Sequence, residues 1–232
     1  MKKFFKILFA IILIAIISCS IILGIFAYEG YNMYQKALQE SSMNERISEI
    51  RNRNDYLKID QIPVDFKNAL IAVEDHRFES HGAVDFISIA RAIVINVTEF
   101  DLVQGGSTIT QQFAKNTFFT QESTLSRKIA EIFAAIDLEN NYSKNEIIEL
   151  YMNTIYFGDG YYGINAASHG YYNKEPLDLN LDEITLLAGL PNAPSVYSPS
   201  NNPDLARQRQ KQVISCMVEY GYLSQEEANK LK

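Results

Sequence analysis

Cysteine is scarce in this sequence, and its histidines lack the spacing of a metal site. The two cysteines, Cys19 and Cys216, lie far apart, one in an apolar run and one in a helical pattern. An intramolecular disulfide is therefore not expected, and Cys216 is expected to be a small core residue. His76 and His81 are accompanied by neither a His-Glu-x-x-His spacing nor a cysteine ligand, so the sequence does not favour a zinc site.

Positive charge is also in short supply. The 232 residues include 21 lysines and arginines against 28 aspartates and glutamates, a net charge of −7. This balance argues against a nucleic-acid partner, and it makes any local cluster of cations notable.

Alternating strand patterns and repeats are absent, and the apolar residues recur instead at helical spacing. The sequence therefore predicts a mainly α domain. Capping boxes at Ser143 and Ser224, each with a glutamate three residues later, mark two helix starts. Helices are predicted near 65–78, 85–97, 108–117, 126–140, 144–156, 163–172, 181–190, 204–220 and 224–231.

One long run, Ile7 to Tyr28, contains no charged residue. As a helix it would measure about 33 Å, enough to cross a bilayer core of about 30 Å. Three lysines precede it, which predicts a cytoplasmic N-terminus and an extracytoplasmic domain. Cleavage at a lipoprotein-like site before Cys19 is the alternative, but apolar residues continue past it to Ala27, which favours a retained anchor.

The remaining sequence divides the chain into three parts. Residues 1–28 are the predicted N-terminal tip and anchor, residues 29–61 a polar helical stalk, and residues 62–232 a domain large enough for a core of its own.

The segment Gly105 to Asn116 has the features of an anion site at a helix start. Two glycines allow a tight turn, and Thr108 with Gln111 fits a capping box. Thr108, Gln111, Gln112 and Lys115 share one helical face. Free amide groups and the helix dipole would add to it, so phosphate or pyrophosphate is the expected ligand. An ordinary capped amphipathic helix is the alternative.

A second basic group follows on the next predicted helix. Glu131 lies four residues after Arg127 and three after Lys128, within reach of both. An exposed trio of this kind adds only a few tenths of a kcal/mol to stability. Neutralisation of a pyrophosphate, with the carboxylate orienting the cations or binding a divalent ion, explains it better than stability does. A charged solvent face remains the alternative.

Glu74 is the candidate for a catalytic base. It stands where the apolar face of the helix near 65–78 gives way to a run of charged residues, between Val73 and Phe78. A carboxylate that is partly desolvated there would suit proton abstraction. A lone Glu-Asp pair at a helix end is nevertheless weak evidence.

Five segments in order resemble the motifs of the peptidoglycan glycosyltransferases, glycosyltransferase family 51. The resemblance extends from about Ile62 to the C-terminus. Two positions depart from the family pattern: Ala83 stands where a glycine is usual, and Asn192 where glutamine is common. The segments are EDHRFESHGAVD (74–85), GGSTITQQFAKN (105–116), RKIAEIFAAIDLE (127–139), KNEIIELYMNTIYFGDGYYGINAASHGYY (144–172) and LAGLPNAPSVYSP (187–199).

The resemblance implies a lysozyme-like lobe, a smaller membrane-apposed jaw and a lipid groove between them. It implies that Glu74 is the general base for lipid II polymerisation, and that Glu131 orders the donor site or helps to hold a divalent cation, Mg²⁺ or Mn²⁺. The implied partners are lipid II, the growing lipid-linked glycan, the membrane and other cell-wall synthesis proteins. The implied substrate-binding residues are Ser107, Thr108, Gln111, Gln112, Lys115, Asn116, Arg127 and Lys128.

The chain ends shortly after the fifth motif, so the sequence favours a monofunctional, membrane-anchored polymerase. Two alternatives remain. A lysozyme-like lytic enzyme would use Glu74 as a general acid and would not require the cations. A catalytically idle scaffold for cell-wall assembly is the other, although every motif residue with a catalytic role is present.

Overall fold

The computed structural model of the protein describes residues 2–99, 105–120 and 124–231. Met1 and Lys232, the outer ends of the predicted anchor and domain, lie outside these ranges. In the described residues the regular structure is helical, and the only strand-like pairing there is an isolated bridge between Tyr156 and Tyr162. The prediction of a mainly α protein is confirmed.

The nine helices predicted in the domain are all present, and the described residues also contain the N-terminal helix, Met43–Arg51 and the unpredicted Pro194–Tyr197. The helices of the described residues are α1 (Lys2–Glu40), α2 (Met43–Arg51), α3 (Val64–Glu74), α4 (Phe86–Glu99), α5 (Ile109–Phe118), α6 (Leu125–Asn141), α7 (Lys144–Thr154), α8 (Gly163–Tyr172), α9 (Leu181–Gly189), α10 (Pro194–Tyr197), α11 (Pro203–Glu219) and α12 (Gln225–Lys230).

Side-chain caps explain several of these boundaries. The capping box at Thr108 is confirmed, because its hydroxyl accepts from the Gln111 amide at 3.1 Å. The boxes at Ser143 and Ser224 are confirmed as well. In contrast, α3 ends at Glu74, four residues before its predicted end, because Asp75 leaves the helical conformation.

The core lies where α3, α5, α7, α9 and α11 meet. Phe66 of α3, Phe113 of α5 and Tyr151 of α7 are completely buried there, together with Leu187 of α9 and Val213 of α11. Burying a side chain of this size stabilises the fold by about 1.5–3 kcal/mol. The helices that carry the sequence motifs are thus held by one continuous core.

Helix α4 stands at the edge of this core. Its residues Phe86, Ile87 and Val94 are exposed although they are apolar. The small jaw and the lipid groove implied by the resemblance stay predictions.

The N-terminal helix α1 is long and apolar enough to cross a membrane, judged by length and composition. It does not stop at Tyr28 but continues without a break to Glu40. Its last part packs on α6, with Tyr34 and Ala37 buried, and Ile47 of α2 is also buried in the core. The prediction of residues 29–61 as a stalk is therefore corrected: much of this segment is part of the packed domain.

Candidate active site

Glu74 lies in the wall of a cavity of about 550 Å³. The cavity is bounded by the end of α3, the first turns of α4, the segment 105–108 and one face of α11. Of the predicted site residues, Glu74, Ser107, Thr108 and Gln112 line it.

Both carboxylate oxygens of Glu74 accept a hydrogen bond. Gln112 Nε2 donates to Oε2 at 2.9 Å, and Arg209 Nη2 donates to Oε1 at 3.3 Å. The Glu74 side chain is only 6% exposed and the Arg209 side chain 12%. A nearly buried carboxylate is thus held between an amide and a guanidinium, which fixes its orientation.

A third residue fixes the amide. The Tyr151 hydroxyl donates to Gln112 Oε1 at 2.8 Å, so the nitrogen of that side chain faces Glu74. Complete burial raises the pKa of Tyr151 well above its ordinary value, and the nearby carboxylate of Glu74 adds to the effect. Tyr151 therefore stays protonated and remains a donor across the neutral range.

Beneath Glu74, Asp75 joins the first motif to the start of α5. Its Oδ1 lies 2.7 Å from His81 Nε2, and its Oδ2 accepts from the backbone amide of Ile109 at 3.0 Å. Burial alone would lower the pKa of His81, but its hydrogen bonds to Asp75 and to the Gly82 carbonyl outweigh burial and raise it. This link holds the motif containing the base against α5.

Asp75, His81 and Asp85 lie close enough together to share a cation. However, the oxygens of Asp75 are occupied as described, and those of Asp85 accept from the backbone and hydroxyl of Ser88 and from Arg77 Nε. Burial would raise the pKa of Asp85, but these hydrogen bonds lower it far below its ordinary range. The three side chains thus form a hydrogen-bonded network that joins the first motif to the starts of α4 and α5.

The predicted anion site at the start of α5 stays a prediction, and part of its hydrogen-bonding capacity is used within the protein. The Ile109 amide is occupied by Asp75 and the Gln111 amide by Thr108. The side chains of Thr108 and Gln111 both donate to the Ala83 carbonyl, at 3.0 and 3.1 Å. These two residues therefore brace the turn that carries Ala83 in the usual glycine position, and two of the amides in the first turn of α5 already have acceptors within the protein.

The predicted contacts of Arg127 and Lys128 with Glu131 are present. Lys128 Nζ lies 2.9 Å from Glu131 Oε2, and Arg127 Nη1 lies 3.2 Å from Glu131 Oε1. Lys128 also donates to Ser107 Oγ at 2.6 Å, which ties the cluster to the cavity wall. Arg127 Nε and Glu131 Oε1 are buried without a hydrogen bond.

Glu131 fits the role of orienting cations better than that of binding a metal. It is 1% exposed and lies between two positive groups. A divalent ion needs several oxygen ligands, and in the described part of the chain Glu131 belongs to no group of three or more possible metal ligands. The expected divalent cation is therefore not supported by this donor set.

The other predicted residues lie outside the cavity wall. Lys115 is partly exposed on α5 and has no ion-pair partner in the ranges that the structure describes, and Asn116 is exposed. Arg127 lines a separate cavity of about 180 Å³ beside α1. The structure thus places the base and the cations on adjoining surfaces rather than in one pocket.

Several residues that line the cavity were not predicted from the sequence. Arg209 lies 135 residues after Glu74 on an ordinary amphipathic helix, so no local pattern marks it. At the other end of the cavity, His76 stacks on Tyr220 with ring centres 4.3 Å apart and accepts from Arg91 at 3.3 Å. Cys216, expected in the core, packs against the core from the cavity wall and is partly exposed there.

Comparison with known proteins agrees with the motif order. The family model described as Transglycosylase matches residues 41–218, more than half of the chain. This chain belongs to the transglycosylase family. The resemblance to the peptidoglycan glycosyltransferases is thereby confirmed, and the match begins within the segment predicted as a stalk.

Individual relatives include two penicillin-binding proteins. The chain is 46% identical over 172 residues to penicillin-binding protein 1F of Bacillus subtilis, covering 74% of this chain and 24% of the relative. It is 47% identical over 172 residues to penicillin-binding protein 1A of Aquifex aeolicus, again covering 74% and 24%. The chain thus spans about a quarter of the length of these relatives.

Among solved structures, the crystal structure of penicillin-binding protein 1A from Haemophilus influenzae is similar to this chain. The sequence identity is 25% and the TM-score 0.46, and the match covers 76% of this chain and 17% of that one.

Proposed function

We propose that this chain polymerises lipid II into the glycan strands of peptidoglycan. The acceptor's GlcNAc 4-hydroxyl attacks the anomeric carbon of a glycan carried on polyprenyl pyrophosphate. The bond from that carbon to the pyrophosphate oxygen breaks, its electron pair leaves with the pyrophosphate, and the hydroxyl proton passes to Glu74. Direct displacement inverts the α-linked donor and gives a β-1,4 bond.

The observation that supports this most directly is the bonding of Glu74. Its two oxygens accept from Gln112 and Arg209, so the carboxylate is held in a fixed orientation at the cavity wall. A lytic enzyme of the lysozyme kind would need the same residue as a proton donor. The cation cluster near this carboxylate, which hydrolysis does not require, supports polymerisation over hydrolysis.

The leaving group has its own binding surface in this proposal. Lys128 reaches the cavity wall through Ser107, Arg127 shares Glu131 with it, and Lys115 lies on the neighbouring helix without a counter-charge in the described residues. Preorganised cations stabilise charge that develops on a departing pyrophosphate. Thr108 and Gln111 support the turn, while Gln112 acts on the base and Asn116 lies near Lys115.

Glu131 is a positioning residue in this scheme. Its carboxylate holds Arg127 and Lys128 at the edge of the cavity, and no step requires a metal ion. The role assigned to Mg²⁺ or Mn²⁺ by the family resemblance is not part of this mechanism.

We further propose that α1 anchors the chain in the cytoplasmic membrane with the domain outside. Three lysines lie before the apolar run, on the side expected to remain in the cytoplasm. The lipid-linked substrates lie in the same membrane, and other cell-wall synthesis proteins are natural neighbours.

The test is the product formed from labelled lipid II by the purified chain and by its Glu74→Gln variant. We expect long glycan strands from the parent and a rate at least about 10²-fold lower from the variant, the usual scale for losing general-base help. The amide keeps the shape but no longer accepts a proton. Thermal melts establish that the variant is folded.

Three other outcomes would contradict the proposal. Cleavage of finished glycan would indicate the lytic enzyme, and no reaction with either substrate the scaffold. Parental rates in a folded Glu74→Gln variant would remove Glu74 from the mechanism.

A further inference from the structure

The apolar part of α1 and the catalytic domain meet without a flexible joint. The charge-free run ends at Tyr28, and the next residue, Glu29, accepts a hydrogen bond from Ser126 Oγ of α6 at 2.6 Å. Gly30 lies so close to α6 that a Cβ atom there would stand 2.7 Å from the Ser126 carbonyl oxygen and 2.8 Å from Ile129. The first turn after the apolar run is therefore already fixed to the domain.

The contact continues along both helices. Tyr31 meets Phe133 edge to face with ring centres 5.4 Å apart, and the Tyr34 hydroxyl donates to Asp137 at 2.5 Å. Ser126, Phe133 and Asp137 recur at intervals of seven and four residues, so they share one face of α6. Because both helices are continuous here, this face and the end of α1 move together.

The same helix carries the proposed leaving-group site. Arg127 and Lys128 directly follow Ser126, and Ser126 touches the first residue beyond the apolar run. With a rise of about 1.5 Å per residue, the cations lie within a few ångströms of the level at which α1 leaves the bilayer core. A polyprenyl pyrophosphate in the membrane holds its phosphates at this level.

We propose that the contact between α1 and α6 sets the height of Arg127 and Lys128 above the membrane, so that they meet a lipid pyrophosphate that remains in the bilayer. Glu29, Gly30 and Ser126 are positioning residues for the reaction. This inference rests on the proposed polymerase function, and it predicts that the contact matters for substrates in a bilayer and not for substrates free in water.

The decisive experiment raises the domain without disturbing the contact. Seven helix-forming polar residues inserted between Tyr28 and Glu29 would lift α6 by about 10 Å and turn the helix by only about 20°. The matched control carries the same insertion between Lys3 and Phe4, on the other side of the apolar run. Each protein is assayed on lipid II in vesicles and on a short-chain, water-soluble lipid II analogue.

We expect the raised variant to polymerise vesicle lipid II at least about 10-fold more slowly than the parent, with parental rates on the soluble analogue. The control insertion should leave both rates unchanged. Parental activity of the raised variant on vesicles, or equal losses on both substrates, would overturn the inference. A parent inactive on both substrates would contradict the proposed function itself.

A substitution at Gly30 provides a second measurement. Gly30→Leu forces the two helices apart, so we expect the same selective loss on vesicles. Gly24→Leu is the matched control because a Cβ at Gly24 meets nothing within 4 Å. Equal behaviour of the two variants on vesicles would contradict the role of the contact.

Discussion

The two halves of the candidate site differ in how their polar groups are satisfied. Both carboxylate oxygens of Glu74 have a donor, and the donor Gln112 is itself held by Tyr151. Around Glu131, in contrast, Nε of Arg127 is buried without a hydrogen bond, and Oε1 of Glu131 has only its 3.2 Å ion-pair contact with Arg127 Nη1. The base is therefore set in place before substrate arrives, whereas the cation half retains unsatisfied groups.

This difference matches the two proposed roles, proton acceptance by Glu74 and binding of pyrophosphate by the cations. A base must face one hydroxyl proton in one direction, so a fixed carboxylate favours it. A pyrophosphate brings several oxygens and negative charge of its own, so it can supply the acceptors that the cations lack. Variants on either side should therefore fail in different ways.

The largest effect among the cation variants should follow removal of Lys115 or Lys128. We expect Lys115→Ala and Lys128→Ala each to lower initial polymerisation rates by about 10- to 10²-fold, since a charged hydrogen bond contributes about 1.5–3 kcal/mol. If both act on one leaving group, the double variant should deviate from additivity. Arg51→Ala, which breaks an exposed ion pair with Glu146, is the control.

Thermal melts must accompany this cycle, because Lys128→Ala leaves the buried Glu131 with Arg127 alone. Unchanged rates in folded single variants would mean that these lysines form only a charged surface. Strict additivity would mean that they act on separate groups.

Arg209 is the residue whose substitution tests how Glu74 is held in place. We expect Arg209→Gln to lower kcat by about 10-fold with little change in KM, because the guanidinium touches Glu74 and orients it. Arg209→Lys should recover part of the loss, since charge returns with altered geometry. Arg207→Gln on the same helix breaks an exposed pair with Asp182 and should leave kcat unchanged.

A structural role alone would give a different result for Arg209. In that case the melting temperature would fall, and kcat of the remaining folded protein would match the parent. A rise in KM with unchanged kcat would place Arg209 in substrate binding instead.

Tyr151 should have a smaller effect that depends on Gln112. In Tyr151→Phe the amide of Gln112 loses its orienting donor and can turn its oxygen toward Glu74. We expect kcat to fall roughly 3- to 10-fold, on the scale of one neutral hydrogen bond. In a Gln112→Ala background the same change should have no further effect, and an equal loss in both backgrounds would contradict this coupling.

The sequence could predict the helices and the cation trio, because both depend on local spacing. Arg127, Lys128 and Glu131 pair as expected since i, i+3 and i, i+4 side chains meet on any helix. The capping box at Thr108 is local in the same sense. These features need no knowledge of the tertiary fold.

Contacts between distant segments could not be predicted in this way. Thr108 and Gln111 belong to the polar face of α5, but the Ala83 carbonyl comes to lie against them and takes their hydrogen bonds. The packing of α1 on α6 depends on the small size of Gly30. No local sequence pattern distinguishes this glycine from other positions in the helix. Arg209 became a site residue only because α11 packs against α3.

The smallest effect should appear in stability rather than activity, at the link beneath the base. The pKa of His81 is raised in the folded protein by its hydrogen bonds to Asp75 and Gly82, against the effect of burial. A group whose folded pKa is raised contributes stability below its unfolded pKa, near 6.5 for histidine, and loses that contribution as pH rises through the folded value. The link should therefore stabilise the fold at mildly acidic pH and less at alkaline pH.

We expect the melting temperature of the parent to exceed that of His81→Gln by more at pH 5.5 than at pH 9. A His81→Gln deficit that stays constant or grows with pH would show that the ring acts only by packing and that its charge does not hold the first motif to α5.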